Sequence, residues 1–116
     1  MEGNIQDKSF RFAVRIVNLC KLLRNDRNEF VLSKQLLRSG TSIGANISEA
    51  QRAQSTADFV SKMKIALKEA NETQYWLRLL YETNYLSEQE FRSLHKDLLE
   101  ILKILTAICN QQKEMK

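Results

Sequence analysis

No proline interrupts this chain, and two of its three glycines sit together as Gly40 and Gly44. Proline and glycine are the residues that stop helices and shape the turns between strands. An all-β sandwich or barrel needs such punctuation roughly every 8–12 residues. A chain of 116 residues with three glycines and no proline cannot supply it. Long helices remain, and the apolar spacing agrees with them.

The stretch from Ser33 to Arg52, SKQLLRSGTSIGANISEAQR, is the most unusual of these helical segments. Leu36, Leu37, Ile43 and Ile47 give it an apolar stripe, while nearly every other side chain between Arg38 and Ala50 is small or polar. Gly40 and Gly44 each cost about 1 kcal/mol of helix propensity relative to alanine. Close packing against another helix, or against another copy of the chain, would offset that cost. Their G-x-x-x-G spacing fits such an approach.

Four helices are expected, over about 8–25, 34–52, 56–82 and 88–110. In the first, Phe12, Ile16, Leu19 and Leu23 form one apolar stripe, and Phe10, Ala13, Val14, Val17 and Cys20 form a second beside it. Asp7 is its expected N-cap. The polar run Arg24–Phe30 is the first loop, with Phe30 and Val31 expected to anchor it in the core. Ser33 is the expected cap of the second helix, with Leu32 and Leu37 as a hydrophobic staple. Ser55 with Asp58, and Ser87 with Glu90, are capping boxes for the third and fourth helices. The tail from Gln111 to Lys116 is expected to fray. Short connections make neighbours antiparallel, so the expected fold is all-α: one domain over 1–116, an up-down-up-down four-helix bundle.

Composition excludes several classes. The chain is 43% hydrophobic and 28% charged, ordinary values for a globular protein. No apolar run is long enough to span a membrane. The start, MEGNIQDK, lacks the apolar core of a signal peptide, so a cytoplasmic location is expected. Cys20 and Cys109 lie in apolar helical patterns and read as buried hydrophobes rather than a disulfide framework. His95 has no partners at ligand spacing and is expected to be solvated. Glu69 and Glu72 share a face but do not recur as E-x-x-H, and Lys64, Lys68 and Glu72 read as a charged outer face. No phosphate-binding glycine loop is present. No enzyme activity, cofactor, metal or small-molecule substrate is therefore expected.

Two features point to partners instead. Apolar residues on the first and third helices extend beyond what one inward face buries, which predicts self-association. The net charge of +4 is uneven: residues 1–53 carry nine Lys or Arg against five Asp or Glu, and residues 54–116 carry nine of each. Lys8, Arg11, Arg15, Arg24, Arg27 and Lys34 are accordingly candidate nucleic-acid contacts. A polar row, Arg38, Ser42, Asn46 and Glu49, runs along one strip of the second helix. It is read three ways: an internal hydrogen-bonded network, a subunit interface, or a ligand contact.

The row also carries a resemblance. Gln35, Leu36, Arg38, Ser42, Ile43, Asn46, Ile47 and Glu49 match the pattern Q-L-x-R-A-x-x-S-I-x-x-N-I-A-E-G of a small bacterial family, the four helix bundle or ribosomal-RNA intervening-sequence proteins. Ser39 stands where that family often has alanine, and Ala50 where it usually has glycine. The run Phe59, Ile65, Ala66, Glu69, Glu72, Thr73, Tyr75, Trp76 and Leu77 resembles a subgroup of it. The resemblance implies a left-turning bundle assembled as a homopentamer, with no enzyme activity. Arg38, Gly40, Ser42, Gly44, Asn46 and Glu49 are then helix-packing or interface residues. A similar protein, the accessory subunit of diversity-generating retroelements, implies nucleic acid or a nucleic-acid-processing protein as a further partner. Ala50 in place of glycine implies that the second helix runs on to about Arg52.

Overall fold

The computed structural model describes residues 4–114, with side-chain surroundings up to residue 111. It holds four helices: α1 (Ile5–Asp26), α2 (Leu32–Ala50), α3 (Thr56–Glu82) and α4 (Glu88–Glu114). Two start where their capping boxes place them. Ser55 accepts from the backbone N–H of Asp58 at 3.0 Å. Ser87 and Glu90 exchange bonds, Glu90 N–H to Ser87 Oγ at 3.1 Å and Ser87 N–H to Glu90 Oε1 at 2.9 Å.

The other two begin differently from the sequence expectation. α1 starts a turn earlier, because Asn4 is the cap and Asp7 donates its N–H to it at 2.7 Å. Ser33 does not cap α2. The buried carboxylate of Glu29 does so from the preceding loop, accepting from the N–H groups of Val31, Leu32 and Ser33 at 3.2, 2.8 and 2.6 Å. Ser33 is itself buried and returns its hydroxyl proton to the Glu29 carbonyl at 2.9 Å. Asn28, at φ 54°, makes the left-handed step that brings Glu29 back over the helix start. Glu29 thus replaces Phe30 and Val31 as the loop's anchor, and those two are 53% and 73% exposed.

α2 stops at Ala50 rather than Arg52. Its end tightens into i→i−3 bonds from Gln51, Arg52 and Ala53 to the carbonyls of Ser48, Glu49 and Ala50. α4 runs on to Glu114, past the expected fraying point at Gln111; residues 115 and 116 lie outside the described residues, as do 1–3.

Cross-helix partners descend in number as α1 ascends: Lys8 meets Glu100, Arg15 meets Asp97 and Arg27 meets Glu90. α2 and α3 do the same through Arg38 with Glu72 and Glu49 with Lys62. Neighbours are therefore antiparallel. Each helix touches the next, α4 closes the ring on α1, and among the described residues no close backbone approach links the diagonal pairs. The bundle measures 47 × 27 × 21 Å, close to the length of a 27-residue helix at about 1.5 Å per residue. Phe12, Ile16 and Leu23 of α1, Leu36, Ile43 and Ile47 of α2, Leu77 and Leu80 of α3, and Leu98, Ile101 and Leu105 of α4 fill its interior. Of the two α1 stripes only the Phe12 stripe is core. In the other, Cys20 is buried and Phe10 and Val14 are exposed.

Candidate interaction surfaces

Gly40 and Gly44 pack against α1 of the same chain. A β-carbon on Gly40 would lie 2.9 Å from Ile16 Cγ2, and one on Gly44 would lie 3.3 Å from the Ser9 carbonyl oxygen. The small-residue spacing therefore serves an internal helix pair. Cys20 belongs to the same seam: its thiol donates to the Ser33 carbonyl at 3.4 Å, and burial pushes its pKa up to about 11. It is a protonated thiol at neutral pH, poor as a nucleophile.

The polar row of α2 runs beside α3, and its members act separately. Arg38 forms ion pairs with Glu69 at 3.1 Å and with Glu72, and Glu49 pairs with Lys62 at 3.3 Å. Ser42 and Asn46 bond only their own helix, to the carbonyls of Arg38 and Ser42 at 2.6 and 2.8 Å. The network that joins α2 to α3 internally lies one position away and was not singled out in the sequence. Thr73 Oγ1 lies 3.0 Å from Ser39 Oγ and donates to the Glu69 carbonyl at 2.7 Å, with both hydroxyls fully buried. Its sequence signal is the departure at Ser39 from the alanine of the family pattern.

Glu72 is drawn to Arg38 and to the Trp76 indole N–H at 3.1 Å, not to Lys68. His95 is not a solvated residue. Its ring stacks on Phe91 at 5.0 Å, Phe91 stacks on Tyr81 at 4.7 Å, and His95 Nε2 lies 2.9 Å from the Gln74 amide nitrogen. These contacts form the α3–α4 seam. Among the described residues, no group of three or more His, Cys, Asp or Glu is placed to hold a metal ion. Among the described residues, no helix is long and apolar enough to cross a membrane.

Of the six candidate cations of the first half, Lys8, Arg15 and Arg27 lie along the α1–α4 seam, each beside an acid of α4. Lys8 pairs with Glu100 at 3.2 Å, Arg15 with Asp97 at 2.6 Å, and Arg27 with both oxygens of Glu90 at 3.0 and 2.8 Å. Arg15 also donates to Ser93, and Arg27 to the Tyr85 carbonyl. The Arg27 guanidinium holds the Glu90 carboxyl down to about 2, helped by the Ser87 N–H. Arg11 lines a small cavity of about 80 Å³ with Lys8, Asp97 and Glu100. Arg24 lies over the Phe30 ring at 5.9 Å, and Lys34 is exposed on α2.

Residues 1–107 match the family described as 23S rRNA-intervening sequence protein. The chain belongs to that family. A solved structure, of a protein of unknown function from the S23 ribosomal protein family of Bacteroides thetaiotaomicron, is 59% identical. It superposes with a TM-score of 0.90, covering 91% of this chain and 98% of that one. No curated protein matches. For this member of the 23S rRNA-intervening sequence protein family, the fold and the lineage agree, and the role has to be argued from its surfaces.

Proposed function

We propose that this family member is a non-catalytic, self-associating helical scaffold, a homopentamer that presents its outer surfaces to a partner. One observation carries the reading: apolar side chains on α1 that the bundle leaves uncovered. Phe10 is 69% and Val14 45% exposed, and they lie four residues apart on one strip, with Val17 three further on. Thr41 and Ala45 follow Gly40 and Gly44, which meet α1, by one residue each. They and Ser48 therefore give α2 a strip of small side chains facing outward on the same side. Bulky residues beside a shallow strip suit a contact with a second copy.

The test is oligomer mass by sedimentation or light scattering, with helicity measured on the same samples. The wild-type chain is expected to run as an oligomer. Phe10→Glu with Val14→Glu is expected to give a monomer of unchanged helicity, since neither side chain supports the core. A wild-type monomer at micromolar concentrations would sink the proposal.

A second reading, nucleic-acid binding, has its own support in the charge of +4 per chain and sequence pI of about 9.2. The basic residues of the first half are its sequence-derived contacts. Salt-dependent binding to oligonucleotides is its test.

A further inference from the structure

The folded molecule redistributes the charge that the sequence places in its first half. Cations of α1 and α2 are met by acids of α3 and α4. Glu69, Glu72, Glu90, Asp97 and Glu100 all turn toward Lys8, Arg15, Arg27 or Arg38. Asp58 turns to the backbone N–H of Gln54 before α3. Five acids of the second half thereby face cations of the first half, while Lys64, Lys68, Arg78, Lys96 and Lys103 of the second half are exposed.

These cations form two rows. On α3, Lys64, Lys68 and Arg78 lie on one strip with Asn71 and Tyr75, at spacings of four and three. On α4, Arg92, Lys96 and Lys103 lie on a strip with Leu99 at the same spacings. All of these side chains are exposed, Tyr75 to 59%. Both rows flank one seam. Tyr75 follows Gln74, and Arg92 and Lys96 follow Phe91 and His95, the residues that join α3 to α4. Among the acids, Glu82 and Glu88 stand at the turn between α3 and α4, where Glu88 is paired with Arg92, and Glu100, which pairs with Lys8 of α1, lies within one helical turn of Lys96 and Lys103.

We propose that the outer α3–α4 face is a nucleic-acid-binding surface, with Lys64, Lys68, Lys96 and Lys103 on phosphates and Tyr75 stacked on a base. It rests on the nucleic-acid reading above and moves it to the other half of the chain. Neighbouring helix axes lie roughly 8–10 Å apart, so the two rows border a strip that one strand can follow. An exposed tyrosine between lysines supplies the stacking platform of a single-strand binder. Only Tyr75 and Leu99 are apolar here, too little to seat the face in a lipid surface.

The test titrates the full chain with labelled single-stranded RNA and DNA oligonucleotides at about 50 and 200 mM salt. Reversing Lys64, Lys68, Lys96 and Lys103 to Glu is expected to weaken binding at least tenfold and flatten the log–log salt slope by about 3. Tyr75→Ala is expected to cost about fivefold or more. Circular dichroism confirms that each variant is folded, all five positions being exposed. Arg24→Glu with Lys34→Glu, on the first half, is expected to change affinity by less than about twofold. Full wild-type affinity in the α3–α4 variant would overturn this placement while leaving nucleic-acid binding standing. No binding by the wild-type chain at low salt would end the nucleic-acid reading itself. Capture by phosphatidylglycerol vesicles without oligonucleotide binding would also overturn the proposal, in favour of lipid.

Discussion

Gly40 and Gly44 have the same spacing logic and different surroundings. A methyl on Gly40 meets the branched side chain of Ile16, itself fully buried in the core, at 2.9 Å. Overpacking of that kind costs about 1–3 kcal/mol, while the gain in helix propensity is about 1 kcal/mol. Gly40→Ala is therefore expected to destabilise by about 1 kcal/mol net. A methyl on Gly44 meets the Ser9 carbonyl at 3.3 Å, so a shift of a few tenths of an ångström absorbs it. Gly44→Ala is expected to be neutral to within about 0.5 kcal/mol, the small clash offsetting the propensity gain. Urea unfolding of the two variants side by side checks the contrast. The glycine pair was legible in the sequence as a close-packing motif. Its partner was not, because the spacing of two residues says nothing about which surface lies opposite.

At the scale of one element, the start of α2 depends on a residue outside it. Glu29 satisfies three of the N–H groups that a helix start leaves open. Glu29→Ala removes a buried carboxylate acting as cap and is expected to cost about 2 kcal/mol or more. Glu29→Gln keeps one acceptor oxygen and is expected to recover part of that. Thermal melts of both would read it, and equal stability in Glu29→Ala would remove the carboxylate from the account. The α4 start titrates. Glu90 has its carboxyl lowered from 4.5 to about 2 in the folded chain, chiefly by Arg27. A depressed carboxyl adds stability above its unfolded pKa and loses it as pH falls through the folded one. Stability from this pair is thus expected to be full above pH 4.5 and to drain away down to about pH 2. Glu90→Gln should flatten that part of the pH profile and lower stability at neutral pH by about 1–2 kcal/mol. Ser55 and Ser87 were readable as caps because the N–H groups they accept from lie three residues away. Glu29 was not, since its role requires the chain to turn back at Asn28.

For the whole molecule, the decisive quantity is how charge is shared among helices. The α1–α4 seam has the fewest close approaches of the four and carries three ion pairs along its length. Arg15 and Asp97 are both partly exposed, so their coupling is expected to be modest, about 0.5 kcal/mol. A double-mutant cycle with Arg15→Ala and Asp97→Ala measures it, and the coupling should shrink in high salt. Zero coupling at low salt would remove this pair from the forces that hold the seam.

The sequence by itself determined the helices, the two capping boxes, the Phe12 stripe and the four-helix ring, because periodicity and caps act within a few residues. It also determined that α1 carries more apolar surface than one inward face needs, and the tertiary structure decided that Phe10 and Val14 are the part left outside. The tertiary structure decided which cations are neutralised, which surface the glycines meet, and that His95 joins a ring stack. Those outcomes depend on residues tens of positions apart being brought within a few ångströms, and the energy of an ion pair or a close contact is fixed by that distance rather than by sequence separation.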